Sequence, residues 1–79
     1  MKVTKEDGKN IAEFAIKFGE KEKIGTYYYH KYDKVFTKPF AERRLDAIHK
    51  NPEYTAVMQD NGRGKFAIFV RRKTGTRAK

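Results

Sequence analysis

The sequence predicts a small α+β domain: an antiparallel sheet with one main helix packed on one face, a C-terminal β-hairpin and a possible short N-terminal helix. Residues 54–73 contain two runs rich in β-branched and aromatic residues around Asn61-Gly62, a dipeptide that supplies the positive φ angles of a tight turn. Gly64 is a second position that permits positive φ, so a bulged or slightly longer loop is equally expected. Residues 26–32 are rich in tyrosine, which favours a strand. Residues 38–50 carry apolar side chains at helical spacing. Because these elements do not alternate regularly, we expect the α+β class.

Residues 10–18 fit two different elements, and the sequence leaves both open. A helix is favoured because Asn10 and Glu13 resemble a capping box and Gly19 stands where a helix-ending glycine is common. A strand is the alternative, since apolar residues also alternate along this run. We expect a short helix here, preceded at residues 1–9 by a frayed end or a short edge strand.

The middle of the chain is predicted to contain one clear strand. Residues 19–25 are charged and end in a glycine, which is typical of a loop, and the strand at 26–32 follows them. Asp33-Lys34 is predicted to be a turn. Residues 35–37 are then either a second short strand or the tail of the first.

The main helix is predicted at residues 38–50 and the hairpin strands at 54–59 and 65–71. Pro39 suits the first turn of the helix, because the N–H that proline lacks has no intrahelical partner there. Pro52 ends the helix.

Alternation along the second hairpin strand predicts what each of its faces contacts. Phe66, Ile68 and Val70 share one side of the strand. We expect this side to pack against Leu45 and Ile48 of the main helix.

Length and composition limit the possible classes of protein. The chain has 79 residues, of which 38% are hydrophobic, so we expect a single domain at 1–73 with a modest core and a flexible basic tail at 74–79. It has no cysteine and two histidines, so we expect neither a disulfide, a metal nor another cofactor. No apolar run approaches the roughly 20 residues of a membrane span, and no signal-peptide core is evident. We therefore expect a cytoplasmic protein with no membrane span.

Positive charge dominates the chain. Nineteen lysines and arginines stand against ten aspartates and glutamates, for a net charge of +9. Such a charge favours an anionic partner: nucleic acid, an anionic membrane or an acidic protein surface. The plain alternative is a well-solvated surface with no specific partner.

Rings and cations are interleaved on one predicted sheet face, as in proteins that hold single-stranded nucleic acid on a sheet. Bases stack on exposed rings while cations contact phosphates, so this hypothesis requires the ring of Phe69 to be exposed. Alternatively, the tyrosines cover a thin core and reach water with their hydroxyl groups. The expected nucleic-acid contacts are Tyr27, Tyr29, Lys31, Arg63, Lys65, Phe69, Arg71, Arg72 and Lys73.

The sequence therefore predicts a non-catalytic protein that binds RNA or single-stranded DNA. The first alternative is a small modulator or inhibitor, of the kind that phages encode, that docks on an acidic partner surface. The second is a small ribonuclease in which His30, one of the two histidines, acts as a general acid or base. No residue spacing specifies such an activity, and the oligomeric state is left open.

Overall fold

The structure, a computed structural model, describes residues 3–73. These residues form α1 (Lys5–Phe18), β1 (Lys21–Ile24), β2 (Tyr27–Phe36), α2 (Lys38–His49), β3 (Tyr54–Asp60) and β4 (Phe66–Arg72). The strands make one sheet in the order β1-β2-β4-β3, with every neighbouring pair antiparallel. Both helices pack on the same face of this sheet. The predicted α+β class is confirmed, and the tail predicted at 74–79 lies outside the described residues.

Helix α1 forms where the sequence left a helix and a strand open, and it begins well before Asn10. Thr4 is its N-cap: the Oγ1 atom accepts a hydrogen bond from the Asp7 N–H at 3.1 Å, and the Asp7 carboxylate accepts one from the Thr4 N–H at 3.0 Å. The bond from the Thr4 backbone, with a smaller contribution from its side chain, lowers the pKa of Asp7. The predicted frayed end or edge strand is therefore wrong for residues 5–9, which are helical.

Gly8 lies where α1 crosses α2 at close range. A Cβ atom at this position would overlap the carbonyl carbon and oxygen of Ala47, which are main-chain atoms of α2. Main-chain atoms of a packed helix cannot move away from an added Cβ atom, whereas the end of a flexible side chain could. A glycine is therefore required in the first turn of this helix, despite its unfavourable helix propensity, because it lets the two helices approach each other.

Replacing Gly8 by alanine is expected to lower the free energy of unfolding by about 1–3 kcal/mol, the usual cost of overpacking. Helix propensity alone predicts the opposite, a gain of roughly 0.5–1 kcal/mol. Urea denaturation gives the sign. Asn10→Ala, at an exposed position of the same helix, is the control and should leave stability unchanged or slightly raised. A stabilising Gly8→Ala would contradict the close helix crossing.

Strand β1 occupies most of the stretch that the sequence predicted as a charged loop, so that prediction is wrong. Residues 21–24 pair with residues 27–30 of β2 and form the outer edge of the sheet. Three of the four side chains of β1 are exposed. Charged residues suit such an edge because they discourage pairing with another chain.

The turn predicted at Asp33-Lys34 is also wrong, because β2 continues through it to Phe36. The pairing of β2 with β4 changes register between Lys31 and Val35. The additional residues on β2 form a bulge, which lets the strand bend without ending. The stretch at 35–36 is accordingly the tail of the tyrosine-rich strand.

The C-terminal hairpin is confirmed, with β3 and β4 paired from Tyr54 opposite Arg72 to Asp60 opposite Phe66. The Asn61 N–H donates to the Lys65 carbonyl at 2.9 Å and closes a longer loop. Gly62 and Gly64 adopt φ angles of 86° and 74°, whereas Asn61 has a negative φ. The tight two-residue Asn-Gly turn, which needs positive φ at both residues, is therefore not formed.

The core lies between the sheet and the two helices. As predicted, Ile68 and Val70 point at the helices and are fully buried in one cluster with Ile48. Asn51 is also buried: its Nδ2 donates to the Ala47 carbonyl at 3.1 Å and the Lys5 carbonyl at 3.0 Å. This side chain ties the start of α1 to the end of α2.

Candidate nucleic-acid interface

The second face of the sheet is covered by neither helix, and we call it the open face. Its cluster of buried residues contains side chains from β2 and β4 only, with support from β1 and β3 at its sides. Strand pairing places Lys31 opposite Phe69 and Val35 opposite Ala67 on it. The open face is formed by Glu22, Ile24, Tyr27, Tyr29, Lys31, Val35, Thr55, Val57, Gln59, Ala67, Phe69 and Arg71.

The rings at the centre of the open face are not available to bases. Phe69 is 4% exposed and Tyr29 is 8% exposed, because Ile24, Tyr27 and Val57 pack around them. The prediction that the Phe69 ring is exposed is therefore wrong. The sheet builds a second, smaller core on this side from its own side chains, and Phe69 belongs to it.

Arg71 is the cation most firmly held on the open face. Its guanidinium carbon lies 3.7 Å from the ring centroid of Tyr27 and 5.6 Å from that of Tyr29. Nη1 donates to the carbonyls of Arg72 at 3.1 Å and Lys73 at 3.4 Å. Nε is buried without a hydrogen-bond partner among the described residues. The guanidinium thus lies over the Tyr27 ring, and its hydrogen bonds to two carbonyls help to hold it there.

The other predicted cations are distributed over several parts of the molecule. Lys31 is exposed, and its pairing with Phe69 places it on the open face. Arg63 and Lys65 are exposed in and beside the hairpin loop. Arg72 alternates to the helix side, where it lines a groove beside α1. Lys73 lies just past the end of β4, and its N–H donates to the Glu53 carbonyl at 3.0 Å.

Each of the two histidines has a backbone partner. His30 Nδ1 lies 3.3 Å from the Gly19 carbonyl oxygen. His49 Nε2 lies 3.0 Å from the carbonyl oxygen and 3.2 Å from the nitrogen of Ala56, on the edge strand β3. A side chain in this position occupies polar groups of an edge strand that another chain could otherwise pair with. Both contacts help to hold the fold together, so the histidines have a structural role. A general acid or base in a ribonuclease would not need these contacts.

Sequence reasoning missed a second set of rings on the helix side, which we call the aromatic ladder. Its members contact one another in sequence from α1 to β2: Phe18, Phe14, Tyr32 and Phe36. The spacing of Phe14 and Phe18, four residues apart, indicates that they share a side of a helix. Their contact with β2 depends on how α1 lies on the sheet, for which the sequence has no signal.

The described residues show neither a metal site nor a helix that could span a membrane. Among residues 3–73, no group of three histidine, aspartate or glutamate side chains is placed to hold a metal ion. Neither α1 nor α2 is long and apolar enough to cross a membrane. The chain matches no protein family model, no curated protein and no solved structure.

Proposed function

We propose that this protein binds single-stranded nucleic acid, RNA or DNA, on the open face of its sheet, and that it does so without catalysing a reaction. The observation that carries the proposal is the Arg71 guanidinium stacked on Tyr27, on a sheet face that neither described helix covers. A base can stack on such a flat pair of ring and cation, with roughly 1–3 kcal/mol for each stacked base. The stacking role moves from Phe69, which is buried, to Tyr27 and Arg71.

Charge supports the same proposal. Lys31 is exposed on the open face, on strand β2, which lies next to the β4 strand that carries Arg71. Arg63 and Lys65 lie in and beside the loop that joins β3 to β4. With the net charge of +9, these cations attract a phosphate backbone and release its counterions on binding. A single strand fits better than a duplex, since only unpaired bases can lie flat on a ring.

The test compares two lysines that strand pairing places on opposite faces. Lys31 lies on the open face, whereas Lys23, opposite Tyr28, lies on the other. Affinity for single-stranded RNA and DNA oligomers is measured over a range of salt concentrations. Lys31→Ala should reduce the slope of log affinity against log salt by about 0.7, the value for one lost phosphate contact on a single strand.

Lys23→Ala is the matched control and should leave that slope unchanged. Tyr27→Ala should weaken binding by roughly 1–3 kcal/mol without changing the slope, because stacking releases few counterions. Equal slopes for the two lysine variants would place the binding surface elsewhere. If no oligomer binds at about 50 mM salt, where phosphate contacts are strong, the proposal is wrong and an acidic protein surface becomes the leading candidate partner.

A further inference from the structure

The aromatic ladder exposes two large apolar side chains, Phe14 and Phe18, on the helix side. Neighbouring ring centroids are 4.9 Å apart for Phe14 and Phe18, 5.8 Å for Phe14 and Tyr32, and 6.3 Å for Tyr32 and Phe36. All three distances fall within the range of favourable ring pairs. Phe14 is 42% exposed and Phe18 is 66% exposed. Several large rings held together in water are typical of a surface that a partner covers.

The ladder forms the wall of a concave surface. On one side of Tyr32 lies a groove of about 440 Å³, whose walls include Phe14, Ile11 and Arg44. On the other side lies a groove of about 290 Å³, whose walls include Phe18. Because Tyr32 lines both grooves, the two follow one another along the ladder. A concave surface suits inserted side chains better than a flat lipid surface.

Cations stand at both ends of the ladder. The guanidinium carbon of Arg44 lies 4.3 Å from the Phe36 ring centroid, and Lys17 Nζ lies 5.3 Å from that of Phe18. Each cation lies within cation–π distance of a ring of the ladder. An anionic group at either end of a bound segment would meet a cation already in place.

The charges along the grooves distinguish a peptide from a nucleic acid. The two grooves are lined by three acidic residues, Asp7, Glu20 and Asp33, and by two basic ones, Lys31 and Arg44. A continuous phosphate backbone would be repelled by these acidic residues. A peptide can instead place apolar side chains beside them and its own acidic groups at the two cationic ends.

We propose that the aromatic ladder is a docking site for an acidic, apolar peptide segment of a partner protein. Large apolar side chains of the segment enter the grooves on either side of Tyr32. Its Asp or Glu residues pair with Lys17 and Arg44. The rings of the ladder lie on the helix side of the sheet, opposite the open face, and the two surfaces meet at Lys31, which also lines the smaller groove.

The test uses a displayed library of random peptides of about 15 residues, long enough to carry apolar anchors over several helical turns. Peptides are selected on the wild-type protein and counter-selected on the double variant Phe14→Ala, Phe18→Ala. We expect enriched sequences to combine large apolar residues with an excess of Asp and Glu. No enrichment over the double variant, or enrichment of basic sequences, would overturn the proposal.

The affinity of the best enriched peptide, synthesised with a fluorescent label, is then measured by anisotropy. Phe18→Ala should weaken binding by about tenfold, as expected for an anchor of an interface. Lys17→Glu should also weaken it, because it reverses a charge at one end of the ladder. Val35→Ala is the matched control: Val35 is 45% exposed, close to the 42% of Phe14, but lies on the open face, and its loss should not change the affinity.

Thermal melting of each variant shows whether its fold is intact, and little change is expected for Phe18→Ala because that side chain is 66% exposed. A scrambled peptide of the same composition that binds equally well would overturn the proposal. The proposal would also be overturned if an oligonucleotide or an anionic vesicle displaced the peptide and bound the Phe18→Ala variant more weakly than the wild-type protein. In either of those cases the ladder would serve nucleic acid or lipid.

Discussion

Phe69→Ala is expected to destabilise the domain by about 3–5 kcal/mol, the usual cost of removing a buried aromatic ring. Phe69 is 4% exposed and lies at the centre of the cluster that includes Tyr29 and Ala67. Its loss leaves a cavity in the open face that the surrounding side chains can close only in part. Urea denaturation, with thermal melting as a second probe, measures this cost.

Val35→Ala is the control on the same face, because Val35 is 45% exposed. Its removal should cost less than about 1 kcal/mol, since little apolar area is lost from the interior. A cost below about 1 kcal/mol for Phe69→Ala as well would show that its ring is open to water. In that case the Phe69 ring would again be a candidate for stacking against a base, as the sequence predicted.

Ile68→Ala is expected to cost about 2–5 kcal/mol, because Ile68 is fully buried on the opposite side of β4, in one cluster with Ile48 and Val70. A loss of this size is a large share of the roughly 5–15 kcal/mol that stabilise a typical protein. The more conservative Ile68→Val should cost about 0.5–1.5 kcal/mol and keep the fold measurable. Denaturation in urea at constant pH gives both values.

Ile24→Ala is the matched control, because Ile24 is half-buried on the edge strand β1. Its cost should be clearly smaller than that of Ile68→Ala. If the order of the two costs were reversed, the helix side of β4 would not be the main core.

Local patterns predicted much of the fold. The helix at 38–49 and the hairpin of β3 and β4 formed as expected, because their signals lie within a few residues of each other along the chain. Alternation along a strand also predicted which residues share a face, including Tyr27 with Tyr29 and Phe69 with Arg71. The charge and its preference for anionic partners likewise follow from composition alone.

Gly8, by contrast, lies in the part of α1 that local sequence patterns did not predict. By propensity it is a helix breaker, and the sequence therefore indicated a frayed end at this position. The capping box of Thr4 and Asp7 and the close crossing of α2 place it inside a helix. Strand β1 is a similar case: its charged residues have little strand propensity, but pairing with β2 at the sheet edge makes a strand of them.

The α+β class, the main helix, the hairpin and the rings and cations that share the open face all follow from local sequence patterns. Which of those rings are exposed depends on how the chain packs. Phe69 is buried although neither described helix covers it, since side chains from all four strands close over it. Arg71 lies over the Tyr27 ring, and Phe14, with Phe18 beside it, contacts Tyr32 of β2. The Arg71–Tyr27 and Phe14–Tyr32 contacts join residues that are far apart in the chain. Exposure depends on such long-range packing, whereas the identity of a face depends only on alternation within a strand.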